Sequence, residues 1–360
     1  MLAKVTPQDI SQGAAVAKPE VSILPYGSED LWDEFILTAP TARFFHLAGW
    51  RKIIEEAFGF KTFYLFAVRG GQMTGVLPLT YIRSRLFGNR LISNAFAMYA
   101  GPVSSDDESR QELEGEAENL MQALAVPVLE FRSMTADRPE WATRSDLYVT
   151  FRKTLAPTVQ ENLKSIPSGQ STIIRNRAGR HGLYSEIDES IDRFYPIYAE
   201  SVRNLGTPVY SKKYFEALKH VFSNKCDIVT VSYGQKAVAS ALNIYFRDEV
   251  MTLYVGGTVP ARGLGANVFM FWEVMRRACE RGYRVFDFGR SKIGTGSYTF
   301  KRNWGLQPTP LAYQYRLATG HQIPDQNPLN PKYHLLISAW KRLPLPVANL
   351  LGPPIVKRIG

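Results

Sequence analysis

The chain has 360 residues, of which 45% are hydrophobic and 21% are charged. A chain of this length usually divides into two domains, because single hydrophobic cores stop growing at about 250–300 residues. The composition excludes a largely disordered or low-complexity chain. The formal net charge of +10 favours polyanionic surroundings such as tRNA, anionic lipid or a phosphate-bearing cofactor, although a basic surface that serves only solubility explains it equally well.

Cysteine content and targeting features indicate a cytoplasmic protein. The two cysteines, Cys226 and Cys279, match neither a disulfide framework nor the ligand spacing of a zinc site. Residues Met1–Glu20 show no apolar segment behind a basic end, as a secretory signal would. No run of about 18 apolar residues occurs that could span a bilayer. We therefore expect a cytoplasmic protein that needs no metal.

The first half of the chain predicts a mixed α/β domain at residues 21–153, preceded by a flexible lead-in at residues 1–20. Its predicted elements, in chain order, are a helix at Asp30–Leu37, a helix around Trp50–Phe58, a hairpin of strands Phe63–Val68 and Met73–Ile82, a charged helix at Ser109–Leu124 and a strand at Val128–Phe131.

The second half, residues 154–320, repeats this order. Its predicted elements are helices at Ile191–Leu205 and Lys212–Phe222, the second with Ser211 as N-cap, then a hairpin of strands Ile228–Ser232 and Ala237–Phe246. The repeated order favours a duplicated domain. Helices alternating with hairpins predict an α/β (α+β) class, with mixed and mostly antiparallel sheets flanked by helices.

A glycine-rich turn follows the next predicted strand, Met251–Val255. The turn Arg262–Ala266 leads into an amphipathic helix that ends at Gly282, and a strand at Val285–Phe288 follows. A helix that begins at such a turn presents free backbone N–H groups, which bind anions. The candidate anion-binding residues are Arg262, Gly263, Gly265 and Ala266. The alternative is that the turn has only a geometric role.

This turn resembles the one with which GNAT-type acetyltransferases hold the pyrophosphate of coenzyme A. Their pattern is Arg/Gln-x-x-Gly-x-Gly/Ala, and Arg262 and Gly265 match it. Asn267 stands where the pattern has its last small residue. This departure argues against coenzyme A binding but not against the fold. The resemblance implies tandem GNAT-like domains with an acyl donor at residues 262–266.

A more specific resemblance follows in the segments Phe286–Ser291 and Gly294–Gly305, the latter with the sequence GTGSYTFKRNWG. They resemble the Fem-type aminoacyltransferases, which add amino acids from aminoacyl-tRNA to peptidoglycan precursors, and most of all the FemAB-like branch associated with exosortase (PEP-CTERM) and exopolysaccharide loci. Phe44–Trp50, Ser201–Tyr210 and Asn330–His334 carry the same resemblance, which extends from about Val21 to the end of the chain. The long helical arm of many Fem enzymes has no counterpart in this sequence.

The resemblance implies catalytic roles for two residues of these segments. Lys301 matches the lysine that Fem-type enzymes are thought to place near the ester carbonyl, where an ammonium would stabilise the developing oxyanion. The alternative for Lys301 is a surface ion pair. Asp287, near a strand end, can accept the proton of the attacking amine or orient Arg290. A purely structural ion pair between Asp287 and Arg290 is the alternative.

Further residues are candidates for contacts with the acceptor. Arg290 and Lys292 can hold the phosphate of a nucleotide-linked or lipid-linked acceptor, because guanidinium binds phosphate through two hydrogen bonds. Tyr298 is a candidate for the wall of the acceptor pocket. The remaining candidates lie in a helix and loop expected to face the cleft between the two domains, namely Arg203, Asn204 and Tyr210. For the aromatic residues, packing in the core is the alternative.

Two basic segments suggest partners. Arg175–His181 can contact tRNA phosphates or an anionic glycan, although a solvated surface is the commoner explanation of such a run. The tail, residues 321–360, combines apolar and basic residues in a manner suited to peripheral contact with the inner membrane surface, and packing against the domain is the alternative. Its repeated prolines from Pro344 onward argue against one long helix.

Together these features predict transfer of an acyl or aminoacyl group to an amine. The donor is an aminoacyl-tRNA or an acyl thioester such as acyl-CoA, and the acceptor is a lipid-linked or nucleotide-linked glycan precursor of the peptidoglycan or exopolysaccharide. No Ser-His-Asp or Cys-His set supports a covalent intermediate. The alternatives are a catalytically degenerate module of the same fold that binds anionic glycan, lipid or a partner protein, and non-specific nucleic-acid binding.

Overall fold

A computed structural model describes residues 18–84, 88–324, 330 and 333–359. Most of the predicted lead-in at residues 1–20 lies outside these residues, and the first strand begins at Glu20. In the described part of the chain, every helix is too short or too polar to traverse a lipid bilayer.

The first half contains the predicted hairpin and helices. Its helices are α1 (Glu29–Thr38), α2 (Gly49–Phe58) and α3 (Asp107–Ala123). Its strands are β1 (Glu20–Ile23), β2 (Lys61–Arg69), β3 (Gln72–Ile82), β4 (Arg90–Ser93), β5 (Val103–Ser104), β6 (Val128–Ser133), β7 (Ala142–Arg144), β8 (Tyr148–Thr150) and β9 (Arg152–Thr154).

The second half contains the second hairpin and the longer helices. Its helices are α4 (Val159–Lys164), α5 (Ser168–Thr172), α6 (Ala178–Arg180), α7 (Phe194–Leu205), α8 (Lys212–Val221), α9 (Val259–Leu264), α10 (Ala266–Glu280), α11 (Gly296–Arg302), α12 (His334–Lys341) and α13 (Leu345–Ile359). Its strands are β10 (Leu183–Asp188), β11 (Cys226–Tyr233), β12 (Lys236–Phe246), β13 (Glu249–Gly257), β14 (Val285–Asp287), β15 (Ser291–Lys292), β16 (Thr309–Pro310) and β17 (Ala312–Leu317).

The structure confirms the predicted start of one helix and the predicted end of another. The hydroxyl of Ser211 accepts a hydrogen bond from the amide of Tyr214, so it caps α8 as expected. Helix α10 ends just before Gly282, whose φ of 80° lies in the left-handed region that favours glycine after a helix.

The described strands form two large sheets with the same local plan. One has the order β1-β2-β3-β4-β6-β17-β7 with β5 beside β3, and the other has the order β10-β11-β12-β13-β14-β9. In each sheet an antiparallel hairpin leads to a strand that pairs in parallel with the strand after the next long helix, namely β4 with β6 and β13 with β14. The predicted mixed and mostly antiparallel α/β fold is therefore confirmed.

Each half of the chain contributes a strand to the sheet of the other. Strand β9, from the first half, pairs antiparallel with β14, and β17, near the end of the second half, pairs antiparallel with β6. A small sheet of β15, β8 and β16 lies where the two exchanges cross. Because both large sheets take a strand from the other half, the boundaries 21–153 and 154–320 stay predictions.

One continuous hydrophobic core joins the two halves. The ring of Phe222, after α8, lies 4.6 Å from Phe44 and 5.6 Å from Trp50 of the first half. Gly49 begins α2 directly against α8, where a Cβ atom would lie 2.7 Å from Val221. Packing of this density resists relative motion, so residues that face the junction keep fixed positions.

The tail packs against the body of the protein. Pro344 separates α12 from α13, as expected, but Pro353 and Pro354 lie inside α13. The side chains of Ala348 and Val356 are buried, and a Cβ at Gly352 would lie 2.8 Å from the backbone nitrogen of Val209. Tertiary contacts along this face compensate for the backbone hydrogen bonds that the two prolines cannot make.

A close approach between β13 and α7 gives a test of this packing. A Cβ at Gly256 would lie 2.6 Å from the Cα of Tyr198 and 2.8 Å from the carbonyl oxygen of Ile197, and neither backbone atom can move independently. We predict that Gly256→Ala lowers the free energy of unfolding by about 1–3 kcal/mol in urea denaturation.

Gly263 provides the matched control for this substitution. No atom lies within 4 Å of the Cβ that alanine would add there. Gly263→Ala should therefore leave the free energy of unfolding unchanged or raise it by up to about 1 kcal/mol, because alanine favours the helix. Equal effects of the two substitutions would contradict the tight packing of β13 on α7.

Candidate active site

Strands β13 and β14 separate where the predicted chemistry lies. They pair only from Glu249–Met251 against Val285–Asp287, although β13 continues to Gly257. The register of β13 with β12 shifts between Tyr254 and Thr252, so Leu253 forms a bulge. Bulges bend a strand and re-aim its side chains. Beyond the bulge, one edge of β13 has no partner strand among the described residues, and we call this unpaired region between β13 and the chain after β14 the wedge.

Lys301 reaches into the narrow end of this wedge from the last turn of α11. Its Nζ donates hydrogen bonds to the carbonyl oxygens of Gly289 at 2.7 Å and Arg290 at 3.2 Å. The side chain is only 5% exposed. Burial lowers the pKa of Lys301 from 10.5 to about 7, with Asp287 opposing and Arg290 reinforcing the shift. The amine therefore changes charge near neutral pH, which is unusual for lysine.

Asp287 ends β14 with a fully buried carboxylate. It accepts four hydrogen bonds, from the Tyr99 hydroxyl at 2.8 Å, Thr150 Oγ1 at 2.6 Å, Arg152 Nη1 at 3.1 Å and the Gly289 amide at 2.7 Å. Its ion-pair partner is Arg152, which also binds Glu249 at 2.5 Å, rather than Arg290. These donors occupy the carboxylate, and the bond to Gly289 shapes the turn whose carbonyl Lys301 binds.

Arg290 is half-buried among tyrosines from both halves of the chain, and we call this region the cleft. Its Nη1 donates to the Tyr313 hydroxyl at 2.7 Å, and the guanidinium lies 4.5 Å from the ring centre of Tyr148. Lys292 is 9% exposed, and its Nζ lies 5.2 Å from the same ring. Among the described residues no carboxylate pairs with Arg290. A half-buried guanidinium that keeps free N–H donors is suited to an anionic group of a ligand.

The structure brings only one of the other predicted acceptor residues to this cleft. Burial raises the pKa of Tyr210, and the nearby charge of Arg290 opposes the shift, which places the two side chains together. Tyr298 packs against Phe151, with ring centres 5.6 Å apart, in the core of the second sheet. Arg203 instead donates to the carbonyl of Leu343 at 3.0 Å and thereby holds the tail. Asn204, next to it, is half-buried at the end of α7.

The predicted anion-binding turn is present but covered. Residues Val259–Leu264 form α9, and Gly265, with a φ of 74°, connects it to α10. Gly265 and Ala266 are buried, and a Cβ at Gly265 would lie 2.5 Å from Ile173 and 3.2 Å from Arg177. Arg262 and Gly263 are exposed beside this cover. The role of these four residues in donor binding stays a prediction.

Helices α10 and α11 contact each other through aromatic side chains. Phe271 of α10 and Phe300 of α11 have ring centres 5.3 Å apart. Both rings belong to the core cluster that also contains Phe288 and Trp304. Trp304 is therefore a core residue.

Several residues around Asp287 and Arg290 were not predicted from the sequence. Tyr148, Thr150 and Arg152 lie on one face of a continuous stretch, where they contact Arg290 or Asp287. They alternate with the buried residues Val149 and Phe151. Alternation of polar and apolar residues is the pattern of a half-buried strand, and it was the available signal for these three. Tyr99 and Tyr313 had no such local signal.

Comparison with known families agrees with this geometry. Residues 174–302 match the family described as an acetyltransferase (GNAT) domain. This range includes the hairpin β11–β12, the wedge beside β13, the covered turn and Lys301. No curated protein matches the sequence of the chain.

Solved structures resemble both halves. FemX is 14% identical, with a TM-score of 0.64 over 88% of this chain and 100% of that chain. A tandem GNAT protein from the clavulanic acid biosynthesis pathway is 11% identical, with a TM-score of 0.52 over 84% and 100%. The chain has a tandem GNAT fold. A protein of unknown function from Bacteroides thetaiotaomicron is also similar to this tandem GNAT fold, with 11% identity and a TM-score of 0.58 over 83% and 100%.

The lowered pKa of Lys301 predicts how stability depends on pH. The unfolded lysine keeps its proton up to about pH 10.5, whereas the folded one loses it above about pH 7. Between these values unfolding takes up a proton, so the contribution of Lys301 to stability rises with pH, and it is lost as pH falls to about 7. Lys301→Met removes this contribution.

We predict that the difference in free energy of unfolding, wild type minus Lys301→Met, increases by about 2 kcal/mol between pH ~7 and ~9 in urea denaturation. The exposed Lys236 provides the control, and Lys236→Met should differ from wild type by the same amount at both pH values. A pH-independent difference for Lys301→Met would show that the buried amine keeps an ordinary pKa.

Proposed function

We propose that this protein transfers an aminoacyl or acyl group from an activated ester to an amine of a cell-envelope precursor in peptidoglycan or exopolysaccharide synthesis. The observation that carries this proposal is the buried amine of Lys301, whose pKa is about 7, at the narrow end of the wedge between β13 and β14. A group that gains and loses a proton near neutral pH is suited to acid–base chemistry on an amine nucleophile.

The hydrogen bonds of the Lys301 amine support a role in proton transfer to and from the substrates. In its neutral form, the two N–H bonds of the amine go to the carbonyls of Gly289 and Arg290, and its lone pair remains free to accept a proton from the acceptor ammonium. The resulting amine attacks the ester carbonyl and forms the C–N bond. The protonated lysine then donates its third N–H toward the developing oxyanion and passes that proton to the departing alkoxide as the C–O bond breaks, while the attacking nitrogen releases its second proton to solvent and becomes the amide nitrogen.

Asp287 acts in this scheme through position rather than by direct proton transfer. Its carboxylate has no exposure and already accepts from four donors. By binding the amide of Gly289, it fixes the turn whose carbonyls orient Lys301. We therefore propose Asp287 as a positioning residue and Lys301 as the catalytic residue.

The acceptor is proposed to enter from the side of Arg290. The guanidinium is held by Tyr313 and Tyr148, and its remaining donors face the cleft. Lipid-linked and nucleotide-linked precursors both carry phosphate, which a fixed guanidinium binds through two hydrogen bonds. Lys292, above the same tyrosine ring, adds a second positive charge to this subsite.

The covered turn supports an aminoacyl-tRNA donor over a coenzyme A thioester. Ile173 and Arg177 occupy the space beside Gly265, where an open anion-binding turn would hold a pyrophosphate. The same cover carries Arg175, Arg177 and Arg180 on the surface next to Arg262. Among the described residues none of these four arginines has a carboxylate partner. Exposed arginines without ion pairs are suited to the phosphates of a polynucleotide.

Envelope composition tests the enzymatic role. We predict that cells carrying Lys301→Met in place of the wild-type protein lack one acyl or aminoacyl substituent, seen as a mass difference in mass spectrometry of their envelope polysaccharide and peptidoglycan precursors. Loss of one such donor typically lowers the rate about 10²–10³-fold. The control is Lys236→Met at equal protein abundance. An unchanged glycan in the Lys301→Met strain would refute catalysis at this site.

The identity of the donor is tested by binding. We predict that the triple variant Arg175→Gln, Arg177→Gln, Arg180→Gln binds aminoacyl-tRNA more weakly, with the slope of log affinity against log salt reduced by about 2–3. The control triple variant Lys164→Gln, Lys213→Gln, Lys236→Gln removes three exposed lysines and the same charge. An equal loss in both variants, or tight binding of coenzyme A, would contradict a tRNA donor at this surface.

A binding module of the same fold is the second candidate. The observation that favours it is again the burial of Gly265 and Ala266, because a closed turn holds no donor phosphate. Such a module would hold an anionic glycan at Arg290 without transfer. It predicts that Lys301→Met leaves both the glycan and its binding unchanged, whereas the enzyme predicts loss of the substituent.

A further inference from the structure

The tail helices α12 and α13 have an apolar face that the rest of the described protein leaves uncovered. The buried side of α13 contains Ala348, Gly352 and Val356, spaced four residues apart. Its other side is exposed. The exposed aliphatic residues of the two helices are Leu335 (84%), Leu336 (67%), Val347 (39%), Leu350 (75%) and Leu351 (46%). Val347, Leu350 and Leu351 lie on one face of α13, because they are spaced three and four residues apart, and a cluster of exposed aliphatic residues is the mark of an interaction surface rather than of scattered exposure.

The charge of the same segment is one-sided. Residues 330–360 contain five Lys or Arg residues and no Asp or Glu. Leu350 and Lys357 are seven residues apart, as are Leu351 and Arg358, so each pair lies on one face of α13 two turns apart. The exposed face of α13 therefore changes from aliphatic to cationic toward its last turn, and both of these cations are exposed.

The cationic end continues onto the first half of the protein. Lys357 lies 5.7 Å from the ring centre of Phe60 and lines a groove together with Lys61 and Arg83. Lys61 and Arg83 are exposed, and among the described residues that line this groove there is no carboxylate. Their charge thus adds to that of Lys357 and Arg358.

We propose that this surface, formed by the exposed leucines of α12 and α13 and the cations of Lys357, Arg358, Lys61 and Arg83, binds the surface of an anionic lipid bilayer. Aliphatic side chains beside cations match the two components of such a surface, since leucines enter the acyl boundary while lysine and arginine contact negative headgroups. Charge complementarity selects this occupant over a second copy of the chain, because two copies would bring their cations together. The proposal does not depend on the catalytic role of Lys301.

Vesicle flotation of the full chain tests this surface. We expect the protein to bind vesicles of 70% phosphatidylcholine and 30% phosphatidylglycerol at least about 10-fold more tightly than vesicles of phosphatidylcholine alone. On the anionic vesicles, Leu350→Ser/Leu351→Ser should bind about 10-fold more weakly, and Lys357→Gln/Arg358→Gln about 20-fold more weakly. Added salt should weaken the wild type but have less effect on the second variant.

Matched controls separate surface binding from folding. Leu31 of α1 is 60% exposed and lies outside the tail, so Leu31→Ser should bind the vesicles like wild type. The double variants alter exposed side chains, and their thermal unfolding midpoints should match that of wild type. Wild-type binding by both double variants would overturn the proposal, as would equal binding to the two kinds of vesicle. A dimer in light scattering that Leu350→Ser/Leu351→Ser converts to monomer would assign the surface to self-association and would also overturn it.

Discussion

The buried carboxylate of Asp287 is the constraint on which the rest of the site depends. A carboxylate without solvent is stable only when donors surround it. Here the donors come from Tyr99, from Thr150 of β8 and Arg152 of β9, and from the turn at Gly289. Satisfying this one group therefore brings three separate parts of the chain together. The wedge beside β13, the carbonyls that Lys301 binds and the position of Arg290 all follow from that convergence.

The exchange of strands gives this convergence its rigidity. Strand β9 belongs to the second sheet and begins at Arg152, which binds Asp287. Strand β17 belongs to the first sheet and contains Tyr313, which binds Arg290. Neither half can move without disturbing the edge of the other sheet. The hydrophobic core around Phe222 also joins the two halves, because its ring packs against Phe44 of the first half. The strand exchanges thus hold the residues of the cleft from both halves, which suits the proposed transfer between two large substrates.

Local patterns predicted the elements well, whereas long-range partners escaped prediction. Both hairpins, the cap at Ser211 and the end of α10 at Gly282 follow from residues within one or two turns of each other. The partners of Asp287 are as far as 188 residues away in the sequence, and no periodicity connects Tyr99 to it. The turn at Gly265 illustrates the same limit. Its backbone geometry could be predicted from the sequence, but its burial beneath Ile173, from another part of the chain, could not. For Lys301, the family resemblance identified the residue, but only the structure shows the burial that lowers its pKa.

Stability alone gives no reason for Lys301 to occupy its position. At neutral pH a buried amine costs free energy that an apolar side chain would not. Among the residues that the structure describes, no carboxylate forms an ion pair with Lys301, and the nearby Asp287 binds Arg152 instead. The neighbouring carboxylate of Asp287 is fully hydrogen-bonded, so the buried amine of Lys301 is a local conflict beside a satisfied network. Conflicts of this kind concentrate where function determines the residue. The same reasoning applies to Arg290, a half-buried cation with tyrosines around it and no acid. Two cations that the fold holds without neutralising them, on either side of one turn, are what a site for a charged acceptor and a developing oxyanion requires.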